Sequence, residues 1–291
     1  MTSTRSTSAL MAGLVDDAGL FPPTALSMSA AVHRHRADLA EGSDVLTHRF
    51  LCPASRICEL RSELSSADRF LVGLIADAGT AGLAGTVAEI GGAPDLELAS
   101  VEFPLARTGE SEPIAGLDAA LGGVTEAGVP AALPLFVEAA AMSDVDVLAP
   151  AVAARGVDRT LGLKLRCGGV RAELFPSPEM LAAAIVTAAR AGVVVKATAG
   201  LHHAVRYTDP ATGFVHHGYL NLLLAVADAV EGAGVDRVVS ALRSTDRAVL
   251  VRRALDLDAE VVARTRQAFA CYGSCSTSTP VAEAREFGLI Q

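Results

Sequence analysis

A chain of 291 residues with a formal net charge of -9 offers no basic surface for a phosphate backbone, which excludes nucleic acid as a partner. A hydrophobic content of 51%, with 4% aromatics and no tryptophan, excludes disorder and calls for a core of Ala, Val and Leu. Apolar runs such as Leu220 to Val226 are too short to span a bilayer, and 5 irregularly spaced cysteines read as reduced thiols of a cytoplasmic protein. The expected partner is a small molecule, with no nucleic acid and no membrane. Self-association into a homo-oligomer stays open.

The opening MTSTRSTS is polar and lacks the apolar centre of a secretory signal, so residues 1–9 are expected to form a loose tail and residues 10–291 one domain. Along that domain, short apolar runs alternate with longer stretches of helical period. Strands are expected near Met11 to Val15, Leu46 to Leu51, Phe70 to Ile75 and Leu96 to Val101. Four more fall near Ala131 to Val137, Leu161 to Arg166, Val193 to Thr198 and Ala268 to Tyr272. Helices are expected over Ser27 to Leu39, Ala54 to Leu64, Met180 to Ala191 and Tyr219 to Val230. Ser177-Pro178-Glu179 supplies a cap and a proline at the first helical position.

Eight βα units without a composition break predict an α/β fold, a single (β/α)8 barrel of the TIM type. A doubly wound open sheet is the competing architecture. The glycines Gly79, Gly82 and Gly85 after the third strand are spaced G-x-x-G-x-x-G, which is not a dinucleotide fingerprint. About seventy residues separate Lys196 from Tyr272, so a long insertion with an extra helix or lid is expected between strands 7 and 8.

Barrels of this kind place their chemistry at the carboxyl ends of the strands. Asp16 and Asp17 close the first strand, Asp77 the third, Glu102 the fourth and Glu138 the fifth. Lys164 and Arg166 end the sixth, Lys196 and Thr198 the seventh, and a spacing of two puts each pair on one face. If those faces point inward, two lysines, an arginine and several carboxylates share one mouth. The neighbouring cations are then expected to lower the pKa of one lysine and make it a nucleophile.

The strings GLKLRCGG (162–169), VVVKATAGLHH (193–203), HGYLN (217–221) and CYGSCS (271–276), with VDDAGLFPP (15–23), resemble a family of uncharacterised bacterial and plant proteins over essentially the whole chain. That resemblance carries a fold and a site map but no activity. The order of polar residues on the last three strands is also similar to class I aldolases of the deoxyribose-phosphate type. The likeness implies that Lys164 takes the Schiff-base position, Lys196 that of a second lysine, and Gly273-Ser274 that of a phosphate-binding turn. The long insertion, the doubled histidines and Arg166-Cys167 depart from the pattern and put substrate and reaction type in question.

The leading expectation is a lyase that forms a lysine imine with a small, anionic carbonyl compound and needs no cofactor. Lys164 or Lys196 is the nucleophile, Glu102 or Glu138 moves protons with Asp16 beside them, and His202 or His203 acts as acid or base. Arg166 grips the substrate's anion, and Thr198, Gly200, His202, Asn221, Tyr272, Gly273 and Ser274 are further substrate contacts. A second expectation is a metal-dependent hydrolase or lyase, because His202, His203, His216 and His217 crowd into sixteen residues. Zinc or iron would bind there through His202 and His217, with Glu138, Asp16 or Cys275 completing the set. Thiol chemistry at Cys167, Cys271 or Cys275 is a third option, with Cys52 and Cys58 taken as structural. A barrel that binds an anion without turnover is the fourth.

Overall fold

The computed structural model describes residues 2–291, and side chains from residue 7 on. Its first element is a helix, α1 (Thr2–Met11), which packs on helices near the end of the chain. This corrects the expected tail over 1–9, whose first residue lies outside the described residues. Thr7, Leu10 and Met11 are fully buried, and burying that apolar edge repays the ordering of the segment.

The first strand, β1 (Val15–Asp17), starts where Met11 to Val15 was expected to end. Gly13, at φ +55°, supplies the left-handed turn between α1 and β1. Then follow α2 (Met28–Glu41), β2 (Leu46–Pro53), α3 (Ile57–Glu63), β3 (Phe70–Ile75), α4 (Leu83–Gly91) and β4 (Leu96–Pro104). The chain continues with α5 (Pro113–Glu126), β5 (Leu135–Glu138), α6 (Val145–Arg155), β6 (Leu161–Arg166), α7 (Pro178–Arg190) and β7 (Val195–Thr198). Ser177 caps α7 by accepting from the Met180 amide, with Pro178 in the first turn, as its sequence predicts.

An insertion separates β7 from the last barrel strand. It holds a small antiparallel hairpin, β8 (Tyr207–Thr208) with β9 (Val215–His216), then α8 (Tyr219–Val230), α9 (Val235–Arg243), α10 (Arg247–Leu255) and α11 (Ala259–Ala268). The chain closes with β10 (Phe269–Ser274) and α12 (Ser278–Glu286). Helix α8 is buried from Tyr219 to Ala229, because α7, α9, α10 and α11 pack around it. Its sequence is accordingly apolar on nearly every side.

The eight parallel strands close in the order β1-β10-β7-β6-β5-β4-β3-β2, a (β/α)8 barrel. The open sheet is thereby excluded. No helix among the described residues is long and apolar enough to cross a membrane.

Candidate active site

Strand register builds the site. In the parallel ladder Glu138 pairs with Lys164 and Lys164 with Lys196, so the three stand at one height around the barrel. Glu102 pairs with Phe136, two residues before Glu138, one layer deeper. Asp16 pairs with Gly273 and Gly273 with Thr198, one layer nearer the mouth. A period of two keeps all of these side chains on the inner face.

Inside the barrel they form an unbroken alternation of seven charges: Arg49, Asp16, Lys196, Glu102, Lys164, Glu138 and Arg166. Arg49 stands 3.7 Å from Asp16, and Lys196 bonds Asp16 directly while meeting Glu102 at 2.5 Å. Lys164 lies 2.7 Å from Glu102 and 2.9 Å from Glu138, whose other oxygen takes Arg166 at 2.6 Å. Asp16, Glu102 and Lys196 are fully buried, Lys164 and Glu138 nearly so. Thr47 donates to Asp16 at 2.5 Å, and the Cys271 thiol at 3.4 Å.

These pairings fix the protonation states. Burial works against each charge, but the opposite charges on either side outweigh it. Lys164 and Lys196 hold Glu102 down at about 2, and Asp16 and Glu138 are lowered for the same reason by Lys196 with Arg49 and by Lys164 with Arg166. Burial likewise opposes both ammonium groups, yet Glu102 and Glu138 raise Lys164, and Asp16, Cys271 and Glu102 raise Lys196. The expected lowering of a lysine pKa is therefore reversed. Each ammonium touches two carboxylates and no cation, so the resting site is fully ionised, four cations against three carboxylates.

A cavity of about 710 Å³ opens above this chain. Of the seven charges only Glu138, Lys164 and Arg166 line it. Lys164 is thus the lysine that faces the cavity, while Lys196 lies sealed behind Glu102 and Asp16. Barrels of this kind commonly carry enzymes, with the active site at this end.

Other expected contacts fall elsewhere. Thr198, half-buried, and Gly273 share the row of Asp16, and a Cβ on Gly273 would lie 3.0 Å from Leu51. The Ser274 hydroxyl donates to the Ser276 carbonyl at 2.6 Å, so it is turned into its own loop. Gly200, at φ +73°, packs on the Cys167 carbonyl, and its own carbonyl accepts from His216 at 3.1 Å. Two expected substrate contacts turn out to be structural. Tyr272 is fully buried and stacks on Tyr219 of α8, centroids 5.7 Å apart, which puts its ring on the outer face of β10. Asn221 is buried too, donating to the Ala241 and Ser244 carbonyls at 2.8 Å each and accepting from the Arg206 amide, and so ties the insertion together.

The histidine nitrogens turn to separate partners. His203, half-exposed, lies 2.6 Å from Glu283 of α12 and lines no part of the cavity, which corrects its expected role as acid or base. Both His217 nitrogens are engaged, one by the Pro176 carbonyl at 2.8 Å and one by Arg206 at 3.2 Å. Burial pulls His217 down to about 4, so it is a neutral strut and not an open ligand. His202 takes the Cys275 thiol at 3.3 Å and stacks obliquely on His216. Among the described residues no three His, Cys, Asp or Glu side chains are grouped to hold a metal, which removes the geometric basis for the expected His202 and His217 site. All five thiols are free. Burial pushes Cys271 up to about 11 and Cys167 and Cys52 up to about 12, while Cys58 is exposed.

Sequence reasoning missed Arg49 and Thr47. On β2 the inward positions are Thr47, Arg49 and Leu51, and the period-two rule that found Lys164 finds these as well. Gly73 makes room for the arginine, since a Cβ there would come within 3.0 Å of its Cδ. Also missed was the knot at the end of β1, where Asp17 holds Arg34 and lies 3.0 Å from His35. No protein-family model matches the chain, and no curated protein matches it either.

Proposed function

We propose that the protein is a lyase of the aldolase kind, acting on a small carbonyl compound through an imine on Lys164. The observation that carries this reading is the position of Lys164: on the cavity wall, between two carboxylates, one of which is shared with the cavity-facing Arg166.

The resting ammonium must first lose a proton. A substrate anion that draws Arg166 away from Glu138 removes one of the two cations holding that carboxylate down, and Glu138 then accepts the proton of Lys164. The neutral amine adds to the carbonyl carbon. The resulting hydroxyl leaves as water with the proton from Glu138, and the nitrogen keeps the positive charge as an iminium. Glu138, again a carboxylate, takes the proton of a hydroxyl two carbons from the iminium carbon, on the far side of the bond that is to break. The carbon–carbon bond breaks and its electron pair flows into the iminium to give an enamine. Protonation of the enamine carbon and addition of water release the second product and restore Lys164. Glu102, shared by Lys164 and Lys196, stabilises the cationic nitrogen throughout.

One observation favours the second reading, an anion-binding barrel without turnover: both ammonium groups are held charged at rest. Borohydride in the presence of a small aldehyde separates the two. A lyase yields a reduced, covalently retained adduct that Lys164→Arg abolishes, since arginine keeps the charge but not the nucleophile. A binding barrel yields none in either protein.

A further inference from the structure

We infer that the cavity takes its substrate by a carboxylate bound between Arg107 and Arg166, which makes the substrate an oxo acid or aldehyde acid. The inference rests on the reading of the Lys164 cavity as the substrate site. Arg107 ends a short helical turn (Leu105–Arg107) directly after β4 and lines the same cavity as Lys164 and Arg166. That turn is fixed from beneath. The loop after β3 packs on it so closely that a Cβ on Gly79 would lie 2.3 Å from the Arg107 carbonyl.

The charged groups on the cavity wall are otherwise committed. Glu138 is held by Lys164 and Arg166, and Glu173 by Arg171 at 3.1 Å. Asp77 accepts from the Ser55 amide and hydroxyl at 3.1 and 2.6 Å. Arg107 is exposed, and its side chain has no ion-pair or hydrogen-bond partner among the described residues. Arg166 spends Nε and Nη2 on a single Glu138 oxygen and leaves the rest of its guanidinium toward the cavity, its side chain 43% exposed.

Charge sets the class of anion. The seven-membered chain carries one positive charge in excess, Arg107 adds one, Asp77 removes one, and Glu173 is offset by Arg171. A single net positive charge matches a carboxylate rather than a doubly charged phosphate ester, and a planar guanidinium suits its two oxygens. The Gly273-Ser274 turn lies on the opposite arc of the barrel, with its hydroxyl occupied, and lines no part of this cavity. The anion is thereby placed over β4 to β6.

Two experiments test this together. In the first, 4-hydroxybutyrate, an unreactive monoanion, is titrated by NMR into the full chain and its variants. The expected result is saturable binding, weakened about tenfold by Arg107→Gln and unchanged by Ser274→Ala. Absence of saturable binding, equal affinity in Arg107→Gln, or loss in Ser274→Ala overturns the proposal, as does tighter binding of inorganic phosphate. In the second, succinic semialdehyde and butanal compete for borohydride trapping. The carboxylated aldehyde is expected to win by about tenfold in the parent and to lose that advantage in Arg107→Gln. No adduct from either aldehyde, with Arg107-dependent binding of 4-hydroxybutyrate intact, defeats the imine and leaves the anion site standing.

Discussion

The barrel interior and the β7–β10 insertion each gather chemistry-bearing polar residues, and folding treats them in opposite ways. In the barrel, residues from β1, β2, β4, β5, β6 and β7 meet in one chain of ion pairs, because strand register fixes height and the period of two fixes direction. In the insertion, two adjacent pairs of histidines send their ring nitrogens to four different partners, Cys275, Glu283, Gly200 and Pro176, although the rings of His202 and His216 touch. Rings that meet, as those of His202 and His216 do, still aim their nitrogens apart where no ladder enforces a common direction. A candidate site read from regular strands therefore deserves more weight than one read from a cluster in a loop.

The largest effect is expected at Lys196. Lys196→Ala leaves Asp16 and Glu102 buried with one cation fewer, and the expected loss is about 3–5 kcal/mol of stability. Denaturant unfolding checks this; a loss under about 1 kcal/mol would mean that water, not the lysine, balances those carboxylates. In the insertion, His217→Ala strands the Pro176 carbonyl and Arg206, at an expected cost of about 1–3 kcal/mol, without altering borohydride trapping at the barrel. His203→Ala removes a half-exposed pair with Glu283, so both stability and trapping are expected to stay within about 1 kcal/mol of the parent.

Acid should separate the regions in time. His217 is lowered from 6.5 to about 4, so the fold favours its neutral form; that contribution is complete above pH 6.5 and is lost as pH falls through about 4. Glu102 is lowered from 4.5 to about 2, so the barrel keeps its contribution above pH 4.5 and loses it as pH falls toward 2. Hydrogen exchange is expected to quicken around His217 before it quickens in β4 to β7. Simultaneous opening would show that the two regions are energetically one.

Much of the barrel was legible because its signal is local. The bounds of β3, β6 and α8 are those that the apolar runs predict, and the cap at Ser177 follows from its side chain alone. The ends were less so: residues 2–8 look polar one by one, yet Thr7 joins Leu10 and Met11 on a buried helix face against distant partners. Within the site, the sequence places Lys164 and Lys196 side by side on adjacent strands. It does not say that Glu102 will stand between them, and that one carboxylate turns the mutual repulsion of two cations into attraction. Tyr272 and Asn221 sit in distinctive strings for reasons of packing, and only the outward face of β10 and the closure of the insertion reveal it.

The position of the adduct decides which lysine reacts. After borohydride reduction with succinic semialdehyde, peptide mass spectrometry is expected to find the added mass on Lys164, in a single peptide spanning β6. Mass on Lys196, the one other lysine of the chain, or on the terminal amine alone with Lys164 unmodified, would contradict the assignment of Lys164 as the reacting lysine.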